Sequence, residues 1–227
     1  MEHKPIAIMI LSVFVIGILM LGTLAATANA QGSSSTGTEH IGAVSGANQQ
    51  SVLDIHNRER AAVGVPALVW SESLASDALS YLDKMVAENQ GVVWETPGGV
   101  ELLRHDPALR STTPPQGENL AQFARGGSPD PPKAPSLERL VAGWVAEKSN
   151  IPPGFTGASY IIKPDIGHYT QMVWKNTKEV GCAAAIVRGM TIGEPGGDIP
   201  AVASYLICRY SPPGNYDNEL PYEGFPK

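Results

Sequence analysis

Cysteine is scarce in this sequence: Cys182 and Cys208 are the only two among 227 residues. No C-x-x-C spacing and no nearby histidine accompanies them, which excludes a structural zinc site built on these cysteines. In an exported chain an even pair of cysteines indicates a disulfide. Because a disulfide uses both thiols, the sequence also argues against a cysteine nucleophile.

The usual catalytic signatures are missing as well. The sequence has no G-x-S-x-G, H-E-x-x-H, P-loop or G-x-G-x-x-G pattern, and no N-x-S/T glycosylation site. Lys and Arg number 16 against 22 Asp and Glu, the net charge is -6, and no basic run occurs. This balance argues against nucleic acid, and against anionic lipid, as partners attracted by charge.

The first thirty residues read as an export signal. The apolar run Ile6–Ala26 follows a short charged start, and Ala28-Asn29-Ala30 matches the pattern that precedes cleavage, here before Gln31. The run also approaches the ~20 residues that span a bilayer, so an uncleaved membrane anchor stays open as the alternative. The sequence therefore predicts a secreted, extracellular protein, or one tethered to the outer face of a membrane.

The rest of the chain divides into a linker and one domain. Residues 31–47 are small, polar and rich in Gly and Ser, which predicts a flexible linker, and residues 48–227 suffice for one domain. Helices are predicted over Gln49–Val63, from Ser71 to about Glu88, and after Ser136. The third helix has an apolar stripe at helical spacing, formed by Leu137, Leu140, Val141, Trp144 and Val145.

Two strands are predicted to close the domain as an antiparallel hairpin, over Val180–Val187 and Ala201–Tyr210. The connection between them is rich in Gly and centred on Pro195. Cys182 and Cys208 are equidistant from that proline, so the hairpin would bring them within disulfide reach. Residues 89–116 and 126–135, rich in Gly and Pro, are predicted to be mostly irregular loops.

Four short motifs occur in a characteristic order. They are HNRER at His56–Arg60, GENL at Gly117–Leu120, GHYTQMVW at Gly167–Trp174 and YLICRYSPPGNY at Tyr205–Tyr216. Together they resemble the CAP superfamily, which includes plant pathogenesis-related proteins and cysteine-rich secretory proteins. The resemblance implies an α/β fold, a three-layer α/β/α sandwich with a central, mainly antiparallel sheet.

The resemblance also implies a cleft that contains two histidines and two acids. Mapped motif by motif, these are His168, Glu118 from GENL, and Glu147, three residues after Trp144. The remaining histidine precedes GENL by about ten residues in relatives, and His105 is the candidate here. His56 belongs to a first-helix motif outside this group of four, and we interpret it as structural.

These residue types suit a divalent metal, with Zn²⁺ expected, because neutral imidazoles bind Zn²⁺ and carboxylates can ligate it or orient the imidazoles. Without metal they would form acid–base pairs with coupled titrations, and a purely structural role for the four residues stays open as the alternative. The sequence differs from better-known eukaryotic relatives in having Ile166 where they carry a cysteine and Val145 where an aromatic is common. Neither change affects the four residues.

Three functions follow as hypotheses. The first is a secreted binding module that holds a divalent metal and, as reported for relatives, a sterol or fatty acid. The second is a metal-dependent hydrolase or protease that acts outside the cell. The third is a defence or interaction protein whose extracellular or cell-envelope partner contacts loops 89–116 and 126–136.

Overall fold

The computed structural model describes residues 37–89, 95–96, 99–100, 103–126, 134, 136–155, 164–192 and 199–225. The predicted signal or anchor over residues 1–30 and the first part of the predicted linker lie outside these residues. Among the helices that are described, none is long and apolar enough to cross a membrane.

A five-stranded sheet forms the centre of the domain. The strands of the described residues are β1 (Gly37–Ala43), β2 (Val69–Trp70), β3 (Glu95–Thr96), β4 (Gly99–Val100), β5 (Gly117–Gly126), β6 (Glu179–Ile192) and β7 (Ile199–Ser211). In the central sheet, four strands run antiparallel in the order β1-β6-β7-β5, and the short β2 pairs parallel with β6. A separate two-stranded ribbon joins β3 to β4.

Helices cover both faces of the sheet. The helices are α1 (Gly46–Ala62), α2 (Glu72–Asn89), α3 (Leu137–Ala146) and α4 (Gly167–Met172), with 3-10 turns at Pro107–Ser111, Glu147–Asn150 and Pro164–Ile166. Helix α2 contacts β1, β6 and β7. Helices α1, α3 and α4 contact one another, and α3 and α4 also contact the edge strand β5. The predicted three-layer α/β/α sandwich with a mainly antiparallel sheet is confirmed.

Alternation along the strands divides the apolar side chains between two cores, because successive strand residues point to opposite faces. On β7, Leu206 and Cys208 join the core under α1, α3 and α4. Tyr205 and Ile207 join the core under α2. The same alternation decides on which face the polar residues of β5 and β7 lie.

The predicted hairpin is present and longer than expected. Cys182 and Cys208 are paired directly across β6 and β7 and form a disulfide, with Cα atoms 4.1 Å apart. The register shifts between Val187 and Met190, and both strands continue beyond this irregularity toward the connection. The disulfide joins the two central strands inside the core under α1, α3 and α4.

The N-terminal boundary of the domain differs from the prediction. Residues 37–43 form β1, which pairs with β6 from Gly37 opposite Arg188 to Ala43 opposite Ala183, and α1 already begins at Gly46. The predicted flexible linker over 31–47 is therefore wrong for residues 37–47. Small residues suit this position because pairing at a sheet edge uses backbone groups and needs no apolar run.

Arg60 ties α1 to the segment after α4. Its side chain is fully buried and donates to four backbone carbonyls, those of Pro66 (2.6 Å), Met172, Trp174 and Thr177 (each 2.9 Å). Burial lowers the pKa of Arg60 to about 10. The guanidinium stays charged because carbonyl oxygens replace its water shell.

Candidate functional site

The first His–Glu pair lies where α3 ends and α4 begins. Glu147 is the first residue of the 3-10 turn that follows α3. Its Oε1 is 2.5 Å from Nδ1 of His168. Its Oε2 accepts backbone N–H groups from His168 at 2.8 Å and Tyr169 at 3.0 Å. Glu147 therefore holds both the ring and the backbone of His168.

The position of this carboxylate has a simple cause. The first N–H groups of a helix have no partner within it, and the positive end of the helix dipole favours an anion there. Glu147 is only 2% exposed and supplies that anion to α4. The carboxylate is thus directed inward, to the start of α4.

The second pair lies on the other side of the sheet edge. Oε1 of Glu118 is 2.7 Å from Nδ1 of His105 and accepts the backbone N–H of Asp106 at 3.1 Å. Glu118 is fully buried, and the His105 side chain is 19% exposed. The two pairs have the same arrangement. In each, a buried glutamate binds Nδ1 of the imidazole and also accepts a backbone N–H of the histidine or of the residue after it.

The loop that carries His105 is anchored at consecutive residues. Leu103 is buried in the core under α2, and its backbone N–H donates to Oε1 of Gln122 on β5 at 3.1 Å. The carbonyl of Arg104 accepts from the hydroxyl of Tyr81 on α2 at 2.7 Å. The position of His105 is thus determined by β5 and α2, although residues 103–106 are irregular.

Three consecutive residues of β5 connect the two pairs. Glu118 binds His105, Asn119 donates through Nδ2 to the carbonyl of His168 at 3.0 Å, and the carbonyl of Leu120 accepts from the indole of Trp144 at 3.1 Å. Trp144 in turn stacks on His168. Because side chains alternate along a strand, Glu118 reaches toward the α2 side and Asn119 toward the side of α3 and α4.

In both histidines the second ring nitrogen is available. A carboxylate only accepts hydrogen bonds, so each Nδ1 bears the hydrogen and the Nε2 of the neutral ring has a free lone pair. Nε2 of His105 and Nε2 of His168 are both buried without a hydrogen-bond partner. An imidazole in this state is able to ligate a metal through Nε2, with its glutamate behind it.

The four residues expected from the motifs therefore form two pairs. Within the described ranges, no group of three or more His, Cys, Asp or Glu side chains is arranged to hold a metal ion. The two Nε2 atoms are the ligand-competent groups, and Glu118 and Glu147 orient the rings. Metal binding by His105, Glu118, Glu147 and His168 stays a prediction.

His56 connects α1 to the same region without joining either pair. Its Nδ1 donates to the carbonyl of Val52 at 2.8 Å, so Nε2 accepts from the hydroxyl of Tyr210 at 2.9 Å. The Tyr210 oxygen accepts from Nδ2 of Asn119 at 3.0 Å. Burial lowers the pKa of His56 from 6.5 to about 4, so the ring is neutral near pH 7. These contacts agree with a structural role.

Two residues that contact the pairs, Asn119 and Arg209, were not expected from the sequence. Arg209 is buried beside Glu118, and Asn119 contacts the backbone of His168. Both lie inside the motifs quoted above, Asn119 in GENL and Arg209 in YLICRYSPPGNY. The motifs were informative there, but only the pairing of β5 with β7 shows what these side chains contact.

A family model described as the Cysteine-rich secretory protein family, or CAP, matches residues 53–191. This chain belongs to that family. It is 34% identical over 173 residues to a pathogenesis-related protein 1 of Arabidopsis thaliana, covering 76% of this chain and 81% of that protein. It is 28% identical over 189 residues to scoloptoxin SSD976 of Scolopendra dehaani, covering 77% and 73%.

Solved structures agree on the fold. NaASP2, solved with Zn²⁺, aligns with a TM-score of 0.50 at 19% identity over 79% of this chain and 87% of that chain. Na-ASP-1 aligns with a TM-score of 0.51 at 18% identity, over 88% of this chain and 46% of that longer chain. At such low identity these alignments establish the shared architecture and nothing further.

Proposed function

We propose that this protein acts outside the cell and binds a divalent transition-metal ion, Zn²⁺, through Nε2 of His105 and Nε2 of His168. The observation that supports this most directly is the state of the two rings. Each Nδ1 is bound by a glutamate, and each Nε2 is buried without a partner. Buried polar atoms of this kind are rare in proteins and call for a ligand or an ordered water.

The donor set fits zinc better than calcium or magnesium. Imidazole nitrogen is a good ligand for Zn²⁺, whereas Ca²⁺ and Mg²⁺ prefer oxygen. Two protein ligands leave coordination positions for water or a group of a bound molecule, and a bound Zn²⁺ supplies Lewis-acid chemistry. The relative NaASP2, which has the same fold, was solved with Zn²⁺.

The other functions from the sequence analysis have weaker support. Cys182 and Cys208 are both in the disulfide, so the hydrolase hypothesis has no cysteine nucleophile. Hydrolysis, and the binding of a sterol or fatty acid, rest on the family resemblance alone. An extracellular or cell-envelope partner is likewise an expectation from the resemblance.

Zinc titration tests the proposal. The exported protein is purified, treated with chelator, and titrated with Zn²⁺ by calorimetry. We expect saturable binding that weakens as the pH falls, because protons compete for the same nitrogens. His105→Ala and His168→Ala should each reduce affinity more than the control His40→Ala, at a residue of β1, the strand at the sheet edge opposite β5. Equal affinity in all four proteins would contradict the proposal.

Extracellular location has a separate test. The family is described as secretory, and the N-terminal sequence predicts cleavage before Gln31. N-terminal sequencing of protein recovered from the medium should start at Gln31 or within a few residues of it. A chain that starts at Met1 and sediments with membranes would replace secretion with anchoring, and a chain confined to the cell interior would contradict both.

A further inference from the structure

We propose that Arg209 is the positioning residue for the His105 half of the site. It would hold Glu118 and Asp106 so that the ring of His105 keeps Nδ1 on the carboxylate and Nε2 free. The expected effect of Arg209 on metal binding rests on the proposed function. The effect of Arg209 on the orientation of the His105 imidazole does not, and it can be measured in protein that contains no metal.

The strand register brings Arg209 to this place. Glu118 on β5 and Arg209 on β7 are direct cross-strand partners. Both point to the α2 side of the sheet, where the guanidinium lies over the ring of Tyr81 with its central carbon 5.4 Å from the ring centroid. Arg209 is 1% exposed and Glu118 is fully buried. Two buried charges are tolerated together because each offsets the cost of desolvating the other.

The guanidinium contacts two acids at once. Its Nη2 donates to Oδ2 of Asp106 at 2.9 Å, and its Nε lies 3.0 Å from Oε2 of Glu118 as an ion pair rather than an aligned hydrogen bond. Nη1 makes a longer contact of 3.4 Å with Oε1 of Gln116. The planar, multidentate geometry of arginine allows this, whereas lysine offers a single point charge.

These contacts determine what remains for His105. With Oε2 of Glu118 on Arg209, Oε1 is left for Nδ1 of His105 and for the backbone N–H of Asp106. Oδ1 of Asp106 accepts from Ala108 at 2.9 Å and begins the 3-10 turn after the histidine. Arg209 therefore controls both the partner of His105 and the residue that follows it.

Comparison of the two pairs strengthens this inference. Glu147 also binds the imidazole through Oε1, but its Oε2 is anchored by backbone N–H groups of His168 and Tyr169. At Glu118 the corresponding oxygen is anchored by the side chain of Arg209. One half of the site is thus positioned by backbone and the other by a replaceable side chain, so one substitution should disturb His105 and leave His168 unchanged.

The experiment compares Arg209→Gln with the native chain. In metal-free protein at a pH of about 8, above the ordinary histidine pKa of about 6.5, long-range ¹H–¹⁵N NMR reports which ring nitrogen bears the hydrogen. We expect His105 to lose its uniform Nδ1–H state and His168 to keep it. Zn²⁺ affinity should fall about 10-fold, as is typical when an orienting partner is removed.

Two further variants make the test decisive. Arg139→Gln is the matched control, because this exposed arginine lies over Phe123 and touches neither pair. Arg209→Lys keeps the charge but reaches one carboxylate at a time, so it should show the same defect at His105 in milder form even if Arg209→Gln does not fold.

The outcomes separate the two proposals. A native His105 spectrum in Arg209→Lys, or in a folded Arg209→Gln, would overturn the role of Arg209 whether or not zinc binds. Loss of the Nδ1–H state in His105 and His168 together would also overturn it, since the effect would then be general. A change at His105 alone, in a chain that binds no zinc, would support the role of Arg209 and refute the proposed function.

Discussion

The indole of Trp144 is stacked on the imidazole of His168, with ring centroids 5.9 Å apart and planes inclined by 15°. The same indole donates through Nε1 to the carbonyl of Leu120 on β5. One side chain on α3 thus supports the face of a site histidine and bonds to the strand that carries Glu118. The Glu147–His168 pair is stabilised by this aromatic packing as well as by its hydrogen bonds.

Separating these two roles of Trp144 gives a first prediction. Trp144→Phe keeps an aromatic face on His168 but loses the hydrogen bond to Leu120, and it should lower the free energy of unfolding by about 1–2 kcal/mol. Trp144→Ala removes a buried ring and should cost about 3–5 kcal/mol. Urea denaturation measures both. Equal losses in the two variants would show that the hydrogen bond, not the ring, is what matters.

Glu147 should be important for stability as well as for the site. Glu147→Gln leaves one acceptor oxygen for three N–H donors and puts an amide N–H₂ among them. We expect a loss of about 3 kcal/mol in the free energy of unfolding, typical of a broken buried charged network. Glu223→Gln, at an exposed residue near the C-terminus, is the control. If both variants unfold at the same urea concentration, Glu147 does not stabilise α4.

The buried His56 should make the free energy of unfolding depend on pH. Its pKa is about 4 in the folded protein and 6.5 ordinarily, so the folded state favours the neutral ring. The contribution of His56 to the free energy of unfolding is complete above pH 6.5. It is lost as the pH falls toward 4, because the imidazole takes up a proton in the unfolded chain before it does so in the folded protein. The difference between the two pKa values corresponds to about 3 kcal/mol.

Carboxylates titrate in the same range, so the effect of His56 needs a difference measurement. His56→Gln should be less stable than the native chain at pH 7 but should lose less stability between pH 6.5 and pH 4. Denaturation curves at several pH values give both slopes. Parallel slopes for the native chain and the variant would rule out the buried, neutral His56 as the cause.

The disulfide should stabilise the domain through the loop that it closes. Cys182 and Cys208 are 26 positions apart, and the chain-entropy model assigns a loop of that size about 3–4 kcal/mol. Reduction, or the double substitution of both cysteines by alanine, should lower the free energy of unfolding by about this amount. Thiol titration in denaturant should detect no free thiol before reduction, and two reactive thiols would contradict the disulfide.

The motifs singled out four residues that the structure shows as two hydrogen-bonded pairs, but they did not specify the arrangement. His105 was chosen by its distance from GENL, and the structure places it on Glu118. The pairing of Glu147 with His168 depends on where α3 ends, and helical periodicity does not specify a terminus to within one residue. Acid–base pairs were expected in the absence of metal, but which glutamate binds which histidine was not predicted, because that depends on tertiary contacts.

Strand β1 was not predicted, and the physical reason is a different one. Residues 37–43 contain no apolar alternation that distinguishes a strand from a linker, and their strand exists because the edge of β6 offers unpaired backbone groups. Arg209 was missed for a related reason. Its neighbours in sequence, Cys208 and Tyr210, point into the other core, and only the register with β5 places it beside Glu118.

The start of β5 has a consequence for how this domain can change in length. Glu118 and Asn119 serve opposite faces of one strand, so a single inserted or deleted residue between Gly117 and Leu120 would exchange their faces. Glu118 would leave Arg209 and His105 at the same moment as Asn119 leaves His168. The two halves of the site would be lost in one event, although each could survive many substitutions. At the start of β5 the domain should therefore tolerate substitutions far more readily than insertions or deletions.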